Sequence, residues 1–332
     1  MAISIDDIKK LRAMTGAGLA DVKKALTEAE GDFDKAKELL RERGLAIAAK
    51  RSDRETSNGC VLVKAVDGFA ATIALKCETD FVANGADFIA LTQNILDAAI
   101  AAKAKDIEAV KELVLADGQK VQDAVTQRSG ITGEKMELDG YNVLEGDNIE
   151  VYDHMGKHML ATMVQTNKPA AEVGHKLAMQ VAAMKPVALD AASIDPKILD
   201  EEYRTAVEKT KLEQVQKYVD MKIKKAGINP NLVDSEDHIE SNMSKGWLTQ
   251  EQADEARKII AEAKPEGEAQ LKMPMIEGIA KGRVEKFKKE SCLVDQEFQF
   301  GDGDKQTVSQ WLAQQDKELK IVAFKRFTLV AE

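Results

Sequence analysis

The stretch Cys60-Val61-Leu62-Val63-Lys64-Ala65-Val66-Asp67-Gly68-Phe69-Ala70-Ala71-Thr72-Ile73-Ala74-Leu75 decides the fold. Two strand-like runs flank Asp67-Gly68, a dipeptide that supplies the positive φ a tight hairpin turn needs. Just past the second run stands Glu78-Thr79-Asp80-Phe81-Val82. Then Phe88, Leu91, Ile95 and Ala98 fall at helical spacing, giving a helix that should cover one face of the hairpin, with more helix through Gln127.

Further strands are predicted over Met136 to Val143, Asn148 to His154 and His158 to Gln165, punctuated by Gly140, Gly146-Asp147 and Gly156. A helix starting at Pro169 carries Val173, Leu177, Val181 and Met184 and ends near Pro186. Phe69 to Leu75, a loop and a helix are thus echoed by His158 to Val164, a loop and a helix. The echo suggests two related subdomains packed together; chance similarity of two short units explains it equally well.

From Pro196 to about Gly227 the chain reads as one long helix with a thin apolar stripe, ended by Asn229-Pro230-Asn231. Thr249 and Gln252 make a capping box for a helix to Ala263. Pro265 and Gly267 should break it, and Pro274 to Lys289 is helical again. Such helices should project as a hairpin. A strand over Cys292 to Phe300, a turn at Gly301-Asp302-Gly303-Asp304, a helix over Thr307 to Gln315 and a strand over Leu319 to Leu329 close the chain, the two strands rejoining the second subdomain.

At the other end, Ser4 with Asp7 resembles a capping box. Ile5, Ile8 and Leu11, then Leu19, Val22 and Leu26, then Phe33, Ala36, Leu39 and Leu40 make three short helical stripes, with Gly44 fitting a C-terminal cap. The fold class is therefore α+β. The expected segments are a three-helix bundle (1–45), a linker (46–57), a first core subdomain (58–140), a second (141–195 and 271–332) and a helical hairpin arm (196–270).

Composition narrows the function. The 332 residues carry a formal net charge of -10 and only 5% aromatics. An acidic balance argues against nucleic-acid binding and favours a protein partner. Cys60, Cys77 and Cys292 are sparse and unpaired in spacing, which reads as a reducing compartment. The first residues lack the charge and apolar core of a signal peptide, and no apolar run is long enough for a bilayer. A cytoplasmic protein is expected.

Several motifs fall short of their chemistry. Gly16-Ala17-Gly18 with Lys23 and Lys24 lacks the Gly-Lys-Ser/Thr triplet of a phosphate loop and reads as a helix-helix turn. Gly301 to Asp304 lacks calcium-loop spacing. His154 and His158 are four apart, but Gly156 stands between them and no third ligand follows, so no metal site is expected. No Gly-x-Ser-x-Gly occurs, and no cysteine has an obvious histidine partner. No cofactor and no enzymatic chemistry are expected.

Two features remain. Asp80-Phe81 can be a wedge presented to another molecule, or a helix cap followed by an inward staple. Leu11 and Leu19 can be bundle core, or an apolar contact with Arg12 at its rim beside the bare Thr15-Gly16-Ala17-Gly18 turn.

The chain resembles the translation elongation factor Ts family at two places. One is Leu11-Arg12-Ala13-Met14-Thr15-Gly16-Ala17-Gly18-Leu19-Ala20-Asp21-Val22-Lys23-Lys24-Ala25-Leu26; the other is Cys77-Glu78-Thr79-Asp80-Phe81-Val82-Ala83. Weaker echoes run through Tyr152 to Lys157, Ala178 to Pro186 and Glu277 to Arg283, in family order over nearly the whole chain. Ala74 and Lys76 stand where the family usually shows an acid and an Asn, Ala20 where a larger apolar residue is common, and His158-Met159 in place of Ile-Gly. Lys211 to Gln270 is longer than the family's short helical hairpin.

The resemblance implies a guanine nucleotide exchange factor that binds elongation factor Tu with its GDP and Mg²⁺. It implies that the bundle resembles a ubiquitin-associated domain and docks on the GTPase domain through Leu11, Arg12, Gly16, Leu19 and Lys23. Asp80, Phe81 and Val82 are then expected beside the magnesium and phosphates, with His154 a further contact. The arm could mediate a dimer. The rival reading is an interaction module without exchange activity.

Overall fold

Leu11, Val22, Ala25, Leu26, Ala36 and Leu40 close a small core among α1 (Ile5–Thr15), α2 (Leu19–Glu28) and α3 (Phe33–Ala49). The predicted capping box starts the first helix: the Ser4 N–H donates to Asp7 Oδ2 (3.2 Å) and the Asp7 N–H to Ser4 Oγ (3.0 Å). These elements come from a computed structural model that describes residues 3–15, 17–51, 53–301 and 305–330.

β1 (Asn58–Val66) and β2 (Phe69–Cys77) pair antiparallel with Val66 opposite Phe69. Asp67 and Gly68 between them have φ of 46° and 73°, the two positive values of the predicted hairpin turn. Four helices follow: α4 (Asp80–Ala83), α5 (Ala86–Ala102), α6 (Ile107–Lys111) and α7 (Val121–Thr132). β3 (Glu137–Glu145) then pairs with the free edge of β2, so the first sheet has the order β1-β2-β3. β4 (Ile149–Asp153), β5 (Leu160–Thr166) and, near the end of the chain, β6 (Ile321–Thr328) form a second antiparallel sheet in that order. α8 (Ala171–Met184) follows β5 as α5 follows β2. In each sheet the middle strand leads through a short loop into the covering helix, which is the echo seen in the sequence.

The middle strands are buried on both faces, and their side chains divide accordingly. On β2, Phe69, Ile73 and Leu75 pack toward Phe88, Ile95 and Leu96 of α5. The alternate residues Ala70 and Ala74 meet the second sheet at Met163 and Ala161. A strand covered on both sides reads as a continuous apolar run rather than an alternation. Gly140 lies inside β3, opposite Ala74 and beside the one-residue register shift of the β2–β3 pairing; a Cβ there would lie 2.6 Å from that of Ala74 and 2.3 Å from the Phe327 ring. The expected boundary at 140/141 thus falls inside β3.

Asp190–Gln296 forms a second compact unit, apart from Met1–Leu189 with Glu297–Glu332. It contains α9 (Pro196–Lys225), α10 (Glu236–Ser244), α11 (Gln250–Ala269) and α12 (Met273–Ser291). Val219 and Ile223 of α9 meet Ala253, Ala256 and Ala263 of α11 in its core. Arg283 of α12 pairs with Glu213 of α9 at 2.5 Å, so α12 belongs to this unit rather than with the second sheet.

Packing corrects several expectations. α11 continues through Pro265, because Glu266 accepts from Tyr218 Oη and Lys222 Nζ (both 2.9 Å) and Gly267 lies against the Tyr218 ring. Residues 292–300 form no strand, only isolated bridge positions at Cys292 and at Glu297, the latter paired with Thr307; the apolar Phe298 instead stacks on Trp311 of α13 (Val308–Gln315) at 3.9 Å. The 302–304 part of the expected turn lies outside the described residues.

Gly44 does not cap α3, which runs on to Ala49. It is the crossing point of α3 on α7, where a Cβ on Gly130 would stand 2.4 Å from the Gly44 Cα. The segment after it is no free tether either: Arg54 reaches Glu78 (2.8 Å) and Thr56 reaches Glu137 (2.5 Å). Gly130→Ala should therefore lower stability by about 1–3 kcal/mol through overpacking. Gly278→Ala on the exposed face of α12, where a Cβ meets nothing within 4 Å, should leave it unchanged or raise it slightly. Urea unfolding of the two variants measures both.

Candidate partner-binding site

Thr79 builds the most exposed feature of the first sheet. Two residues past the end of β2 its backbone is still extended (φ -121°), and its hydroxyl accepts from the Val82 N–H (3.3 Å) to close a four-residue helix. Thr79, not Asp80, is the cap. In this short turn Ala83 faces the core, Val82 lies half-buried against it, and Phe81 points to solvent with 87% of its surface exposed. The inward staple is thus excluded for Phe81. Asp80 is exposed beside it, and its carbonyl accepts both the N–H and the Nδ2 of Asn84 (2.9 Å each).

The base of this turn is gripped by charge. Glu134 Oε2 accepts from the N–H of Glu78 and of Thr79 (3.1 Å each), and Oε1 from the Thr79 hydroxyl (2.6 Å). In return Glu78 accepts the Lys135 N–H (2.6 Å) and the Arg54 guanidinium (2.8 Å). The Lys135 amide, then Arg54 and Arg51, hold the Glu78 carboxyl below its usual range against the opposing effect of burial. Contacts at 55 to 57 residues' separation leave no local mark in the sequence, so Glu134 was missed.

The bundle contributes a second surface. Leu19 is exposed at the start of α2 (57%), flanked by exposed Arg12, Ala20 and Lys23, with Met14 also exposed (54%). Leu11 is wholly buried in the bundle core, which removes it from the candidate contacts. Its place at helical spacing with Ile8 already allowed that outcome. Gly16 lies outside the described residues.

A third surface is the β4–β5 connection. His154 is half-buried, its ring edge-on to Tyr152 at 5.7 Å, which in turn meets His175 edge-on at 5.5 Å. Among the described residues its Nδ1 has no hydrogen-bond partner. Met155 beside it is exposed and has a left-handed φ of 58°. His158 does not join His154: its Nδ1 pairs with Asp153 at 2.5 Å. Burial pushes the Cys60 and Cys77 thiols up to about 12, so neither presents a ready thiolate at neutral pH.

A family model described as elongation factor TS matches residues 78–331. The chain is 57% identical to an elongation factor Ts of Phocaeicola vulgatus, 56% to one of Parabacteroides distasonis and 57% to one of Bacteroides fragilis, in each case over the whole length of both chains. The chain belongs to the elongation factor Ts family. It is a translation elongation factor by that membership. No described helix is long and apolar enough to cross a membrane.

The departures from the elongation factor Ts pattern at Ala74, Lys76 and His158-Met159 sit at joints of the fold. Ala74 is buried where the two sheets meet, and Lys76 pairs with Asp139 at 2.5 Å. The His158 carbonyl accepts the Val61 N–H (2.7 Å), and that of Met159 accepts the Leu329 N–H (2.9 Å), tying the sheet edges together.

Glu78 makes the grip pH-dependent. Its folded pKa lies below the ordinary 4.5, so its stabilisation is present above that value and is lost as pH falls through the folded pKa. Glu78→Gln should cost about 1 kcal/mol at neutral pH, and the gap to the parent should close as pH falls below the ordinary carboxylate range. Urea midpoints across that range measure it.

Proposed function

We propose that this chain binds elongation factor Tu in its GDP-bound form and promotes GDP release, performing no covalent chemistry itself. Phe81 carries the reading: a large ring held outside the fold on a braced turn is a poor use of an aromatic residue unless a partner covers it. A GTPase holds its nucleotide through backbone amides around the phosphates and through Mg²⁺. The Phe81 ring enters an apolar slot of the partner and shifts the elements that support the metal's waters. Asp80 orients the entry and repels the adjacent phosphate charge. With the metal loosened, phosphate repulsion helps GDP leave.

The energetics call for more than one contact. Burying one Phe side chain contributes about 1.5–3 kcal/mol. Weakening GDP by ~10⁴ needs a coupling of about 5.5 kcal/mol. The remainder falls to the bundle surface around Arg12, Leu19 and Lys23 and to His154, docking on the same partner. Val82 acts from beneath by seating the turn.

Phe81→Ala should leave folding intact, since the ring packs on nothing, and should slow GDP release at saturating factor by at least about tenfold, a loss of roughly 1.4 kcal/mol. Stopped-flow release of a fluorescent GDP analogue from elongation factor Tu measures it; an unchanged rate contradicts the wedge, and no stimulation even by the parent chain leaves only an interaction module. Leu19→Ala should raise the half-saturating concentration without changing stability. Leu11→Ala should instead cost about 2–5 kcal/mol of folding, as a core truncation does.

A further inference from the structure

We propose that the C-terminal end of α7 is the seat of the wedge, and that Glu134 is the positioning residue that makes bundle and wedge act as one part. The proposal rests on the reading of Phe81 as the exchange element and adds what controls it.

The wedge helix lies between two anchor points, and both are held by α7 or by the turn that ends it. Ahead of it, the Glu134 carboxylate takes the amides of Glu78 and Thr79 and the Thr79 hydroxyl. Behind it, Arg128 of α7 pairs with Asp87 in the first turn of α5 at 2.7 Å, which also holds the Asp87 carboxyl below its usual range. Glu134 itself is rooted in the helix: its carbonyl accepts from Ser129 Oγ (2.5 Å), and its N–H donates to Thr132 Oγ1 (3.2 Å).

The same helix carries the bundle. Gly130 meets Gly44 of α3 backbone to backbone, Ile131 packs on the bundle core, Arg41 lies 3.7 Å from Asp123, and Gln127 Nε2 donates to the Thr15 carbonyl at the α1–α2 turn (3.5 Å). The chain leaving α3 also ends on the wedge base, through Arg54 to Glu78. Docking of the bundle and direction of Phe81 are thus set by opposite sides of one rigid element.

Glu134 sets the polarity of the cap. A carboxylate only accepts, so the Thr79 hydroxyl must donate its proton to Glu134. That leaves an oxygen lone pair aimed at the Val82 N–H, which is the bond that closes the wedge helix. Without Glu134, two amides and a hydroxyl lose their partner and the turn frays. Phe81 then samples directions that do not enter the slot. The bundle surface is untouched, so the loss falls on the maximal rate and not on docking.

The test uses the full chain with Glu134→Ala, Glu134→Gln, Phe81→Ala and the double variant Phe81→Ala/Glu134→Ala. Hydrogen exchange of the free proteins reads the turn directly; stopped-flow GDP release reads maximal rate and half-saturating concentration separately. Glu134→Ala should speed exchange of the Glu78, Thr79 and Val82 amides and cut the maximal rate about tenfold, with half-saturation moving less than about twofold. Glu134→Gln, whose carbonyl oxygen can take both amides, should recover the rate to within about threefold of the parent. The double variant should be no slower than Phe81→Ala, because Glu134 acts only through that ring.

Unchanged amide exchange in Glu134→Ala overturns the proposal. So does faster exchange with an unchanged maximal rate, or an additive double variant; in those cases a slow Phe81→Ala still upholds the wedge. A Phe81→Ala variant as fast as the parent overturns the wedge and this proposal together.

Discussion

One carboxylate spanning two amides and a hydroxyl supports everything this molecule is proposed to do. Glu134 fixes residues 78 and 79, Thr79 caps the four-residue helix, and the helix leaves Phe81 no inward direction. An exposed ring on a loose loop loses rotamer and backbone freedom on docking, which weakens the contact. A ring on a braced turn has already lost the backbone share of that freedom. The bracing also explains why so polar a base lies under so apolar a tip: hydrogen bonds to charged groups hold a geometry that the small hydrophobic contact of Val82 and Ala83 cannot hold alone.

The architecture serves the same end. Both middle strands are covered on two faces, by a helix on one and by the other sheet on the other. That burial makes the ends of the middle strands stiff platforms: Phe81 lies just past the end of β2, and His154–Met155 lie in the connection that leads into β5. The third candidate surface belongs to the bundle, which is fastened to the first sheet's α7 at a glycine-to-glycine crossing. Small residues do this work twice: at Ala70 and Ala74 they let the sheets approach, and at Gly44 and Gly130 they let the helices touch. Neither pair carries chemistry, and both set where the chemistry-free contacts point.

Local signals in the sequence were read well. Asp67-Gly68 marks the hairpin, and Thr249 with Gln252 and Ser4 with Asp7 mark helix starts; the repeated strand-loop-helix unit corresponds to two sheets of the same order, though the repeat alone left chance similarity open. Errors arose where a distant residue overrode a local sign. Gly44 looks like a cap because its crossing partner is 86 positions away in sequence. Pro265 looks like a break because Tyr218 and Lys222, which hold the helix beyond it, lie on another helix. Phe298 looks like a strand residue because its stacking partner Trp311 cannot be inferred from spacing. For the site, sequence singled out Phe81 but could not give its direction, since cap and staple rules admit either. It could not separate buried Leu11 from exposed Leu19, both apolar beside the same turn.

The proposed activity is at root a coupling between two ligands of one GTPase, and coupling is reciprocal. If Phe81 carries a large part of it, the ring must interact differently with the nucleotide-free and GDP-bound partner. The direct measurement is the ratio of the chain's dissociation constants for elongation factor Tu with and without GDP, by titration calorimetry, for the parent and for Phe81→Ala. The account predicts a ratio that falls by about tenfold or more in the variant, through weaker binding to the nucleotide-free form alone. A ratio that stays the same, whatever happens to the absolute affinities, contradicts it.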